Sequence, residues 1–196
     1  MVVHHGCIEH QDTEEVDELR VLKLDVALAE VLCRADRRSA MACGDQAVAL
    51  QPEAERAEFR AWVEQRILNR PDPRGRRQAL ALLDLATGLA ESPMESWMHL
   101  AVVDAGLPRP VPQFGITDVD GRAIYRLDLA WPDARIAGEY DGYEAHENRK
   151  TLDAARVEDL RRRGWLVIRA TAADVKDPSR MIGELRSAFR QRGFRT

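Results

Sequence analysis

The residues best suited to chemistry lie in RLDLAWPDARIAGEYDG, residues 126–142, where Asp128 sits in one apolar, β-prone run and Glu139 and Asp141 sit in the next. Burying a carboxylate without a partner costs several kcal/mol, so acids embedded in two such runs call for a compensating cation. A divalent metal is the obvious candidate. Alternation along a strand places Tyr125, Leu127, Leu129 and Trp131 on one face and Arg126 and Asp128 on the other. On the following strand Ala137, Glu139 and Asp141 share a face opposite Ile136 and Tyr140. Pairing the two strands side by side brings Asp128 and Glu139 within metal-bridging reach. That geometry suits one or two Mg²⁺ (or Mn²⁺) ions activating water and stabilising phosphoryl charge. Gly142 then makes a turn, and His146 follows shortly after it.

The elements that must hold these acids can be read from spacing. Ser92-Pro93-Met94-Glu95 is a helix start, with Ser92 as N-cap, Pro93 in the first turn and Glu95 completing a capping box. Trp97, Met98, Ala101 and Val102 supply that helix's apolar stripe, and Gly106 and Pro108 end it. Three strands are expected next, Val111–Thr117, Ala123–Trp131 and 134–140, separated by the turn signals DVDG and WPDA. The spacing then predicts a helix over 150–163, a fourth strand over 165–170 and a closing amphipathic helix over Ser179–Gln191. The order is α-β-β-β-α-β-α, an α/β class. Upstream, apolar spacing predicts helices near 22–32, 40–50, 53–68 and 77–89, broken by NRPDPRGRR at 69–77. Two domains are expected, a helical region over 1–90 and an α/β domain over 91–196.

From ESPMES, RLDLAWP, IAGEYDGYEAH, LDAARVEDLRRRGWLVIRAT and AADV, in that order and spacing, the chain from Glu91 to about Phe189 resembles the PD-(D/E)xK restriction-endonuclease-like superfamily. It is most similar to the very-short-patch-repair endonuclease-like branch. The resemblance implies an αβββαβ core, the order read above, and a metal-dependent endonuclease hydrolysing DNA phosphodiester bonds. It implies Asp128 as the motif aspartate, Glu139 as the first acid of the (D/E)-x-K pair, Glu95 as the helical acid and His146 as the histidine after the E-x-D-G turn. Catalytic roles are thus expected for Glu95, Asp128, Glu139, Asp141 and His146, with Asp128, Glu139 and Asp141 as ligands of Mg²⁺ or Mn²⁺. Arg156 and Arg169 repeat the family pattern and are candidates for phosphate contact, beside Lys150, the one lysine near the motif. One position departs: the superfamily's lysine stands two residues after the acid, and Asp141 occupies that place. An aspartate adds a metal ligand but neither orients the attacking water nor offsets charge, so His146 is the candidate for general-base or phosphate-polarising work.

The region from LRVLKLDVALAEVL to RRQALALLDLA resembles the middle of abortive-infection-type antitoxin or regulator proteins, which usually begin with a winged helix that is not readable here. The resemblance implies a second reading, a catalytically degenerate DNA-binding, antitoxin-like transcriptional regulator, with a toxin or other protein as partner of the helical region. Bulk properties narrow the classes. Net charge is −4, and the acidic excess lies in residues 1–90 while 91–196 balance, so no strong nonspecific nucleic-acid footprint is present. No apolar run is long enough to span a bilayer and no signal peptide is readable, so a cytoplasmic protein without membrane attachment is expected. Cys7, Cys33 and Cys43 form no CxxC pair and indicate neither a zinc knuckle nor a disulfide framework. Ordinary explanations compete at each position: Glu95 as a capping residue, Asp141 as a turn acid, Arg156 and Arg169 as members of a salt-bridge lattice, and Trp97, Trp131 and Trp165 as core.

Overall fold

In a computed structural model of the chain the described residues are 8–141 and 147–195, the side chains of 147–154 excepted. The chain divides into two compact units, Met1–Gly88 and Leu89–Thr196. Among the described residues no helix is long and apolar enough to cross a membrane.

The first unit opens with a β-hairpin absent from the sequence reading, β1 (Thr13–Val16) against β2 (Leu19–Leu22). Its two-residue turn, Asp17–Glu18, is left-handed at both positions, the backbone that matches strand twist in tight hairpins. Four helices follow: α1 (Leu24–Arg34), α2 (Arg37–Ala49), α3 (Arg56–Asn69) and α4 (Arg76–Leu85). Asp36 caps α2 by accepting the Ser39 N–H at 3.0 Å. Leu28, Leu32, Met41, Val48, Phe59, Val63, Ile67 and Leu82 from all four helices are buried together in the unit's interior. Gly75 precedes α4 with φ +76°, and a Cβ there would meet the Cys33 carbonyl oxygen at 1.9 Å, so only glycine fits this turn. Cys33 is buried, Cys43 is exposed, and Cys7 lies outside the described residues.

The second unit runs α5 (Pro93–Asp104), β3 (Val111–Thr117), β4 (Ala123–Trp131), β5 (Ile136–Tyr140), α6 (Glu147–Arg162), β6 (Leu166–Ala170), α7 (Ala172–Lys176) and α8 (Ser179–Gln191). The class is α/β, and the strands form one sheet in the order β3-β4-β5-β6. The first three make an antiparallel meander, and β6 joins β5 in parallel after the α6 crossover. Two apolar clusters hold the sheet. One gathers Met98 and Val102 of α5, Leu129, Trp131, Ile136 and Ile168 of the strands, and Leu185 and Phe189 of α8. The other gathers Ile116, Leu127, Ala130, Ala137 and Trp165 around Leu160 of α6. Helices therefore cover both faces.

Strand alternation is not continuous along β4. Tyr125 and Leu127 pack with the α6 cluster, whereas Leu129 and Trp131 pack with the α5 and α8 cluster. The expectation that these four side chains share one face is therefore incorrect, and the reversal falls at Asp128. Its cause lies on the neighbouring strand. Ladder pairs run Val111↔Ala130 and Pro112↔Leu129, then resume at Phe114↔Leu127, skipping Gln113 and Asp128. Gln113 adopts a left-handed backbone, φ +50°, which breaks the pleat locally and turns the chain over. On β5 the expected alternation holds, with Ala137 on the α6 side and Ile136 on the other.

Candidate active site

Asp128 sits at the reversal, where neither strand face claims its side chain. The last registered β4–β5 pair is Leu129↔Gly138, and just beyond it Asp128 Oδ2 accepts the Tyr140 N–H at 2.8 Å. That bond ties the carboxylate between the two strands. Burial pushes the Asp128 carboxyl upward, against the Tyr140 hydrogen bond; Glu95 and Glu91 add to the rise, and Arg156 opposes it. Asp128 thus interacts with an acid from the start of α5 and with a base from α6.

Glu95 is held by three donors. Its carboxylate accepts the Glu91 N–H at 2.9 Å, the Ser92 hydroxyl at 2.9 Å and the Gln113 side-chain amide at 2.8 Å. Ser92 Oγ in turn accepts the Glu95 N–H at 3.3 Å, the reciprocal arrangement expected of a capping box. The cap explains two of these bonds, and the third links the helix start to the strained residue of β3. Nearby, Glu91 pairs with Arg126 of β4.

Glu139 is the most deeply buried acid of the unit's sheet, with 7% of its side chain exposed, and it is held by Arg156 of α6. The guanidinium spans both carboxylate oxygens, Nη2 to Oε1 at 2.6 Å and Nη1 to Oε2 at 3.4 Å. Nη2 also donates to the Arg126 carbonyl at 2.8 Å, and the guanidinium carbon lies 5.6 Å from the centroid of the Tyr125 ring. Asp141 follows β5 and is paired with Arg169 of β6 at 3.2 Å, both side chains being more than a third exposed. The parallel register sets Glu139 against Arg169, so both arginines flank the Glu139 side of the sheet.

The structure therefore brings Glu95, Asp128 and Glu139 into one polar cluster, with Asp141 at its margin. His146 lies outside the described residues, and Lys150 falls in the part of α6 whose side chains are not described. Gln113 and the clasping role of Arg156 were missed by the sequence reading. No glycine or turn signal marks residue 113, and the Glu139–Arg156 pair is visible only once α6 is packed.

In donor type the cluster fits a hard divalent cation, because Asp128, Glu139 and Glu95 all offer carboxylate oxygens. In arrangement it does not form a cage. Among the described residues no group of three or more histidine, cysteine, aspartate and glutamate side chains is gathered so as to hold a metal ion. Glu139 and Asp141 face guanidinium groups, and Asp128 gives one oxygen to a backbone N–H.

No family model matches the chain, and no solved structure matches it. The chain is 38% identical over 120 residues to the uncharacterized protein MT2308 of Mycobacterium tuberculosis (strain CDC 1551 / Oshkosh). The same identity over 120 residues relates it to the uncharacterized protein Rv2248 of Mycobacterium tuberculosis (strain ATCC 25618 / H37Rv). Each alignment takes in 58% of this chain and 44% of the relative, so the chain spans less than half the length of the proteins it matches.

Proposed function

We propose that Leu89–Thr196 is a PD-(D/E)xK-like unit acting on DNA as a metal-dependent endonuclease. One observation carries this reading: Glu95 from a helix start, Asp128 from β4 and Glu139 from β5 converge on a single polar cluster in an αβββαβ arrangement. Asp128 and Glu139 would hold Mg²⁺ or Mn²⁺, with Asp141 as a marginal third ligand, and the ion would polarise phosphoryl oxygen and acidify a bound water. The chain's own groups divide the remaining work. Arg156 and Arg169, on the Glu139 side of the sheet, present guanidinium forks suited to phosphate oxygens, with Lys150 as a further cation. Glu95 fixes the helix start against β3 and adds negative charge beside Asp128. His146 would carry the proton.

The nuclease reading is tested by nicking of supercoiled plasmid in Mg²⁺ or Mn²⁺. Wild-type nicking should fall at least about 100-fold in Asp128→Asn and in Glu139→Gln, as removal of a metal ligand demands. Equal rates in all three proteins would refute the assigned roles. A second reading, a catalytically degenerate DNA-binding regulator, is favoured by Asp141 standing at the motif-lysine position with Arg169 as its partner. Plasmid binding without any nicking by the wild type would select it.

A further inference from the structure

We propose that Arg156 is a guanidinium clasp that fills the cation's place on Glu139, so that the site is closed to metal until a DNA phosphate draws the arginine away. This rests on the nuclease reading above and concerns how that same site is regulated. The clasp is built rather than incidental. It engages both Glu139 oxygens, and it is anchored by the Arg126 carbonyl and by the Tyr125 ring. The two partners differ in access: 30% of the Arg156 side chain is exposed against 7% of Glu139. A phosphate approaching from solvent can therefore reach the guanidinium before anything reaches the carboxylate.

Charge favours the same sequence of events. A divalent ion entering beside a retained guanidinium meets direct repulsion in a partly desolvated site, whereas a phosphate that takes the guanidinium leaves a buried anion in need of a cation. Phosphate is also the partner for which a planar fork is best shaped. The Arg169–Asp141 pair offers no comparable block, being a single contact at 3.2 Å between groups more than a third exposed.

The test is Mn²⁺ binding to the full chain without DNA, followed by titration calorimetry and by the Mn²⁺-dependent shift in Tm. Arg156→Gln should bind Mn²⁺ at least tenfold more tightly than the wild type, and the Arg156→Gln/Glu139→Gln double variant should lose that gain. Equal affinity in wild type and Arg156→Gln overturns the clasp and leaves the metal-site reading standing. Absence of Mn²⁺ binding in both proteins at millimolar ion overturns the two together. Should Arg156→Gln fail to fold, Arg156→Lys decides the matter. It keeps a positive charge but not the fork, and a threefold or greater gain in Mn²⁺ affinity supports the clasp while an unchanged affinity overturns it.

Discussion

Asp128 and Glu139 are acids on neighbouring strands in opposite electrostatic situations, and their substitutions should separate accordingly. Asp128 is pushed upward by burial and by the nearby Glu95 and Glu91, so at neutral pH its charge opposes folding. Asn keeps an oxygen for the Tyr140 N–H and removes that charge. Asp128→Asn is therefore expected to hold or raise Tm. Glu139→Gln does the reverse, because it strips the counter-charge from Arg156 in a buried pair. Breaking such a pair costs roughly 3–5 kcal/mol when both ions are fully buried, and the partial exposure of Arg156 reduces this to about 1–3 kcal/mol. Thermal unfolding of the two variants at pH 7 measures the contrast, and a Tm loss in Asp128→Asn equal to that in Glu139→Gln would contradict it. The residue types of this site were legible in the sequence, since acids in apolar strands stand out. Their partners were not: Arg156 lies 17 positions beyond Glu139, on an element whose facing depends on how the crossover packs.

At the scale of elements, β3, β4 and α8 occur over the residues expected from pattern and turn signals, and most other second-unit boundaries move by a few positions. The hairpin of β1 and β2 escaped because TEEV and LRVL are short and largely charged, and Asp17–Glu18 lacks the usual glycine of such turns. The reversal at Asp128 escaped for a different reason. Period-two reading assumes an unbroken pleat, and nothing in VPQFG announces a left-handed glutamine. A non-glycine residue in that conformation costs about 1–2 kcal/mol, strain that persists here beside the acid cluster. Replacing Gln113 by Gly relieves the strain and frees one Glu95 oxygen from its 2.8 Å bond. Gln113→Gly should leave stability within about 1 kcal/mol of wild type, because the strain relieved offsets the backbone entropy that glycine adds to the unfolded chain. Gln113→Val, β-branched and intolerant of positive φ, should cost about 2 kcal/mol. Urea unfolding of both variants distinguishes a required left-handed turn from a tolerant one, since similar losses in the two would mean that side-chain bonding, not backbone conformation, sets the cost.

For the whole molecule the relevant question is how much positive charge is free to meet a nucleic acid. The chain carries a net charge of −4, with its acidic excess in residues 1–90, so any attraction to a phosphate backbone must come from local groups of the second unit. Many of that unit's arginines already have acidic partners. Arg126 is paired with Glu91, Arg162 and Arg163 with Asp159, Arg169 with Asp141, and Arg180 with Asp174 and Glu184. The Asp174 pair is firm: burial would raise that carboxyl, but the Arg180 guanidinium and the Thr171 hydrogen bonds outweigh it and hold it at about 2. Neutralised cations release few counterions on binding, so DNA affinity should depend only weakly on salt. With about two or three phosphates contacted, log K should fall against log salt with a slope of about −2 to −3. Fluorescence anisotropy of a labelled duplex between 50 and 200 mM NaCl measures it, roughly the range over which strongly basic binders lose several orders of magnitude in affinity. A slope steeper than about −6 would mean that the arginines of α6 and α8 act as an extended basic face, and that these ion pairs open when DNA binds.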